Sequence, residues 1–215
     1  NKIIIYGFDQ NTDSVDYSLK NNIIDKRFNP DSLIDFDYIF LAIPVESIKK
    51  QLKIILDKIS KETLVIDLGS TKYQICNSVK THNNRSNFLA AHPIAGTEFS
   101  GPVAAQKDLF NNKVMILCET ENTNPSLLLS AIEIFKKLGM TIKTMDSLEH
   151  DKHIAYVSHL SHISSFMLGK TVMDKEDDEQ TIYDMAGSGF ESTVRLAKSS
   201  PEMWSSIFIE NKKYI

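Results

Sequence analysis

His92 ends the apolar run Asn87-Phe88-Leu89-Ala90-Ala91 and is followed by Pro93-Ile94-Ala95-Gly96-Thr97-Glu98. An imidazole at the carboxyl end of a buried strand suits acid–base work, because its unperturbed pKa lies near neutrality. Pro93 fixes the chain after it, and Gly96 permits a tight turn. A purely structural histidine is the competing reading. Two further strand ends read Asp67-Leu68-Gly69-Ser70-Thr71-Lys72 and Ala42-Ile43-Pro44. Asp9 closes the run Ile3-Ile4-Ile5-Tyr6-Gly7-Phe8, where an acid can accept both hydroxyl hydrogens of a ribose. The same Asp9 could cap a turn, and Ser70 could cap a helix running from Thr71.

His150, His153, His159 and His162 crowd one helical stretch. His159 and His162 could share a face, yet no third ligand recurs at a zinc spacing, so no metal is expected. Ser158, His162, Ser165 and Gly169 form a small polar stripe, suited to close helix packing or to a pocket wall. Arg195 is one of three arginines and stands among Val194, Leu196 and Ala197. It could grip a carboxylate by two parallel hydrogen bonds, or make a surface ion pair. Trp204, the only tryptophan, suits a core or an interface.

These residues need elements to hold them. The 215 residues are 42% hydrophobic and 24% charged, which excludes disorder, collagen-like repeats and a coiled-coil rod. A net charge of −4 gives no reason to expect nucleic acid as a partner. No stretch of 18 apolar residues occurs and no signal peptide is expected, so no membrane association is expected. Two cysteines, Cys76 and Cys118, are too few for a disulfide framework and point to a reducing cytoplasm.

Apolar runs at Ile3–Asp9, Tyr38–Ile43, Leu64–Asp67, Asn87–Ala91, Lys113–Cys118 and Thr141–Thr144 predict buried strands. Helical spacing covers Ile48–Ile59 and Pro125–Leu138. Strands alternating with helices predict an α/β fold with a Rossmann-like, mostly parallel, doubly wound sheet over residues 1–146. An all-helical domain over 147–215 follows, with one long pattern from Leu148 to Met173, a charged turn or helix end at Asp174–Gln180, and a helix start at Ser200-Pro201-Glu202. Only eight glycines are present, about 4% against a usual value of roughly 7%. Six of them, Gly7, Gly69, Gly96, Gly101, Gly187 and Gly189, stand where turns are expected.

Taken in order, these segments resemble the prephenate/arogenate dehydrogenases of tyrosine biosynthesis. The resemblance rests on Asp67-Leu68-Gly69-Ser70-Thr71-Lys72, on His92 to Glu98, and on His150-Asp151 leading to Ser158-His159-Leu160-Ser161-His162. It continues from Ala186-Gly187-Ser188-Gly189-Phe190 through Ser192-Thr193-Val194-Arg195-Leu196-Ala197 to Pro201-Glu202-Met203-Trp204. Ser161 departs from it, since members commonly carry proline there.

The resemblance implies NAD as cofactor, with Asp9 on the ribose and Ile43, Pro44 and Ser70 lining the cofactor crevice. It makes His92 the catalytic histidine on the substrate's ring hydroxyl, with Ser70 between that hydroxyl and the nicotinamide. Arg195 would hold a substrate carboxylate, with His162 and Thr97 in the pocket wall. Trp204 matches a tryptophan that approaches from a second subunit in some members, and a homodimer through the helical part is implied. The family's glycine-rich strand–turn–helix would precede Asn1, and the helical part would run on past Ile215. The implied reaction is oxidative decarboxylation of prephenate. The alternatives are arogenate as substrate, or a non-catalytic dimerisation or regulatory module.

Overall fold

The computed structural model describes residues 3–30, 36–97, 99–179 and 181–215. Glu98 of the His92 motif and Gln180 of the charged stretch lie outside the described residues. Strands β1 (Tyr6–Gly7) and β2 (Lys26–Arg27) form a small parallel pair on either side of helix α1 (Thr12–Lys20). The main sheet has the order β3-β4-β5-β6-β7, formed by Tyr38–Leu41, Leu64–Asp67, Phe88–Ile94, Val114–Cys118 and Thr141–Met145. All its pairs are parallel except β5–β6.

All four residues of β4 are buried, as a central strand of a parallel sheet requires. Successive side chains alternate between faces, so β4 and β5 each feed two cores. Val65, Phe88 and Ala90 meet α2 (Val45–Leu56), α3 (Tyr73–Ser78) and α8 (Pro201–Asn211) on one face. Leu64, Ile66, Leu89 and Ala91 meet α4 (Pro125–Lys137) on the other. In α2 the residues Ile48, Leu52 and Leu56 recur every four positions and have no exposed surface. The Asn124 side chain caps α4 by accepting from Ser126 and Leu127 N–H, with Pro125 at the first position. Gly139 closes the helix at φ +77°, where an added Cβ would lie 2.5 Å from Asn111 Oδ1.

The helical part contains α5 (Ser147–Ile154), a π turn (Ala155–His159), α6 (Leu160–Glu179), α7 (Ser188–Val194) and α8. It docks on the sheet domain through α8: Trp204 and Ile207 enter the α2 core, and Glu210 pairs with Lys49 at 2.5 Å.

Three expectations are corrected. The run Ile3–Phe8 is not a buried strand: only Tyr6 and Gly7 pair, on one side with β2, and Ile3 is 81% exposed. The run Tyr38–Ile43 forms an edge strand rather than a buried one, ending at Leu41 with Phe40 and Ile43 exposed. For the charged stretch the helix-end alternative holds: Asp174–Glu179 continue α6, with Lys170–Asp174 and Lys175–Glu179 pairs spaced one helical turn apart. Finally, Gly7 lies within β1 and Gly189 within α7, not at turns.

Candidate functional site

Strand register decides where His92 points. Phe88 and Ala90 face the α2–α3–α8 side, and two residues on His92 continues that row. Its Nδ1 lies 2.9 Å from Nε2 of His150 on α5. Nδ1 of His150 lies 2.8 Å from Oδ1 of Asp151, its chain neighbour. His150 is fully buried and Asp151 nearly so, while His92 keeps a partly exposed edge. The three side chains form one file, running from a buried carboxylate out to the second half of β5.

Asp151 also holds the neighbouring loop. Its Oδ1 accepts from Lys72 N–H at 2.7 Å and its Oδ2 from Tyr73 N–H at 2.9 Å. These are the orphan donors at the start of α3, so the cap is Asp151 from α5 and not Ser70. Ser70 sits partly exposed between β4 and α3, and its hydroxyl has no hydrogen-bond partner among the described residues.

Beneath the loop, the Lys72 ammonium is fully buried. It pairs with Asp67 at the end of β4 and donates to the Ala91 carbonyl at 2.7 Å. Asp67 Oδ1 also accepts from Gly69 N–H at 2.9 Å. One lysine thus ties the end of β4 to β5 at the residue before His92. Burial raises the Asp67 carboxyl, against the opposing Lys72 charge and Gly69 N–H.

Burial holds the His92 pKa well below its ordinary value, helped by His150, the Lys72 charge and His159. His92 is therefore neutral at physiological pH. An ionised Asp151 fixes Nδ1–H on His150, which leaves His150 Nε2 bare to accept Nδ1–H of His92. The lone pair of His92 then resides on Nε2, away from the file.

The helical face brings a second group together. His162 stacks on Trp204, ring centroids 3.5 Å apart and planes 22° from parallel, and donates Nδ1–H to the Ser158 carbonyl at 3.0 Å. Burial lowers the His162 pKa; the Ser158 carbonyl opposes this and the nearby Arg195 charge adds to it. Arg195 is exposed and begins a short 3-10 turn after α7. Ser165 accepts from Ala197 N–H at 3.0 Å, and an added Cβ on Gly169 would touch Ala197 at 3.7 Å. The packing reading of the polar stripe has its contacts here: Ser165 and Gly169 seat the Arg195 segment. Trp204 is buried within its own chain, against His162, His159 and Phe208.

The remaining expected residues stand apart from this file. Asp9 is exposed beyond β1, with Oδ1 accepting from Asn11 N–H at 2.8 Å, the turn-cap geometry. Ile43 is exposed and Pro44 precedes α2 at the carboxyl end of β3. Thr97 lies on the exposed loop after β5, its hydroxyl bonded to the Phe99 backbone. Among the described residues no group of His, Cys, Asp and Glu could hold a metal ion, and no helix is long and apolar enough to cross a membrane. His159 and His162 turn to different partners, Asn211 Nδ2 and the Ser158 carbonyl. The surface clefts at Glu119, Glu121 and Asp146 are lined by carboxylates and do not suit an anionic ligand.

Residues 1–144 match the model of the prephenate dehydrogenase nucleotide-binding domain, and residues 146–215 that of its dimerization domain. The chain belongs to the prephenate dehydrogenase family. The prephenate dehydrogenase of Bacillus subtilis is 30% identical over 217 residues, covering 98% of this chain and 58% of that protein. The structure of Aquifex aeolicus prephenate dehydrogenase, in complex with hydroxyphenyl propionate and NAD+, is similar at TM-score 0.87 with 31% identity over 99% of this chain and 75% of that one. Synechocystis arogenate dehydrogenase is similar at TM-score 0.76 with 26% identity, over 98% of this chain and 76% of that one. The chain spans 54% to 62% of the length of the curated relatives it matches.

Four residues that build this arrangement escaped the sequence reading: Lys72, Asp67, His150 and Asp151. All stood inside the quoted motifs, but a lysine in a turn reads as solvated and His150 lies 58 residues from its partner.

Proposed function

We propose that this chain carries out NAD-dependent oxidative decarboxylation of prephenate, yielding 4-hydroxyphenylpyruvate. The observation that carries the reading is the Asp151–His150–His92 file, which runs from a buried carboxylate to a histidine in the second half of β5. A neutral imidazole with its free lone pair facing outward is a general base in its working protonation state. It would take the proton of the ring hydroxyl as the carbonyl develops. Aromatisation of the ring then drives loss of carbon dioxide, so the protein's main tasks are orientation and proton removal.

The crevice beyond the strand ends fits a dinucleotide. Asp9, Ile43-Pro44 and Ser70 each stand at or just past the carboxyl end of a strand, where such sheets take their ligands. The exposed Asp9 carboxylate suits a ribose, the exposed Ile43 an apolar ring, and the unpartnered Ser70 hydroxyl the junction of cofactor and substrate. NAD, when bound, supplies the hydride acceptor.

Arg195, beside His162 and the Trp204 stack, is the carboxylate-binding group of this reading, and its guanidinium can meet a carboxylate by two parallel bonds. Thr97 belongs to the wall of the same pocket. The division into a sheet domain to residue 146 and a helical domain from 147 follows the change of structure after β7. Exposed Tyr156 and Val157 on the π turn and Met167 and Met173 on α6 support a homodimer through that domain. The free, buried Cys76 and Cys118 go with a cytoplasmic setting.

Arogenate is the second reading, favoured by the similarity to the Synechocystis enzyme. The test is an assay of the purified full-length gene product with NAD, offered prephenate and then arogenate. Turnover of prephenate at the higher kcat/KM supports the proposal, and turnover of arogenate alone replaces it. Turnover of neither leaves a non-catalytic module.

A further inference from the structure

The base His92 does not stand alone, and the groups behind it have a chemical order. Resting on the dehydrogenase reading above, we infer that Asp151 and His150 are positioning residues that hold His92 in the tautomer with a bare Nε2. The same carboxylate also fixes the loop that carries Ser70.

The steps follow from hydrogen-bond arithmetic. Asp151 meets three donors: the N–H groups of Lys72 and Tyr73 and the Nδ1–H of His150, at 2.7, 2.9 and 2.8 Å. An ionised carboxylate accepts all three, and a protonated one would have to give up an acceptor site. His150 then has one proton, on Nδ1, and can only accept at Nε2. His92, 2.9 Å away, must therefore donate from Nδ1. Without His150, neutral His92 would be free to carry its proton on Nε2, where it could not accept one from a substrate hydroxyl. When His92 takes the proton it becomes an imidazolium whose Nδ1–H already has an acceptor. The charge so formed is backed by the Asp151 carboxylate through His150.

The surroundings keep this order unambiguous. Lys72 and Asp67 flank the file from the β4 end as a buried pair, and His159 flanks it from the π turn. His159 accepts at Nδ1 from Asn211 Nδ2, which also donates to the Asp151 carbonyl at 2.7 Å. The backbone at Asp151 is thus pinned from α8 while its carboxylate works towards α3. One residue couples the general base, the Ser70 loop and the docking helix.

The experiment compares His150→Leu with His150→Gln in the full-length protein, after both are shown to fold by circular dichroism and thermal melting. Glutamine can donate to Asp151 and accept from His92, whereas leucine can do neither. The Leu variant is expected to lose about 10²–10³-fold in kcat with substrate KM changed less than about threefold, and Gln to restore at least about a tenth of the parent rate. Nitrogen-15 spectra of labelled histidine rings at neutral pH, with His92 assigned by its absence in His92→Asn, read the tautomer directly. Nδ1–H on His92 in the parent and the Gln variant, and Nε2–H in the Leu variant, are the expected result. An unchanged tautomer in folded His150→Leu, or a Gln variant as slow as Leu, overturns the inference. Should Leu not fold, Gln alone decides by the tautomer it shows. A parent that turns over neither prephenate nor arogenate defeats the dehydrogenase reading instead, while the spectra still judge the relay.

Discussion

The Lys72 ammonium donates to the carbonyl of Ala91, the residue immediately before His92, from a position with no exposed surface. Because it also pairs with buried Asp67, its removal leaves an uncompensated charge. Lys72→Met should destabilise the fold by about 3–5 kcal/mol, read from urea unfolding. Adding Asp67→Leu should recover part of that loss, and a single mutant as stable as the parent would show that the pair is not a structural tie.

His92→Asn retains a hydrogen bond to His150 but supplies no base. Its kcat should fall by about 10³-fold, with NAD affinity by fluorescence titration within about twofold of the parent. A large change in cofactor affinity would move His92 from base to structural support.

Arg195→Ala should raise the substrate KM at least about tenfold, since a two-point contact to a carboxylate is lost. Arg195→Lys should recover little, because an ammonium cannot reproduce the planar fork. An unchanged KM would remove Arg195 from the pocket.

The pH dependence of kcat/KM follows from the direction of the His92 shift. A base whose pKa lies well below its ordinary 6.5 stays deprotonated as pH falls through neutrality. Rate should therefore be level from about pH 8 down through 6.5 and decline only at lower pH. A limb centred at or above 6.5 would contradict a His92 pKa lowered by burial.

Stability should carry a related signature. Burial takes the His159 pKa down to about 4, with Asp151 opposing. A group depressed in the folded state is neutral in both states above about pH 6.5, and below it the unfolded chain gains the proton first. Stability is thus full above 6.5 and is lost as pH falls towards 4, by up to about 3 kcal/mol from this residue. Thermal melts of His159→Gln should show a shallower decline over that window than the parent.

Much of this was legible in the sequence, for identifiable reasons. The strands at Leu64–Asp67 and Asn87–Ala91 announce themselves as apolar runs, although the second continues through His92 to Ile94. The cap at Ser200 was readable too, its hydroxyl accepting from Met203 N–H. What the chain did not disclose is long-range pairing. Nothing local distinguishes Lys72 from a solvated lysine, or assigns Asp151 to the start of a helix 78 residues earlier. The edge position of Tyr38–Leu41 was likewise hidden, because an apolar run says nothing about how many neighbours it has.

The most direct test of the account is steady-state turnover of prephenate with NAD by the full-length protein, parent beside His92→Asn. The account predicts a working parent and a variant slower by about 10³-fold at nearly unchanged KM. A His92→Asn variant within about threefold of the parent kcat would contradict it.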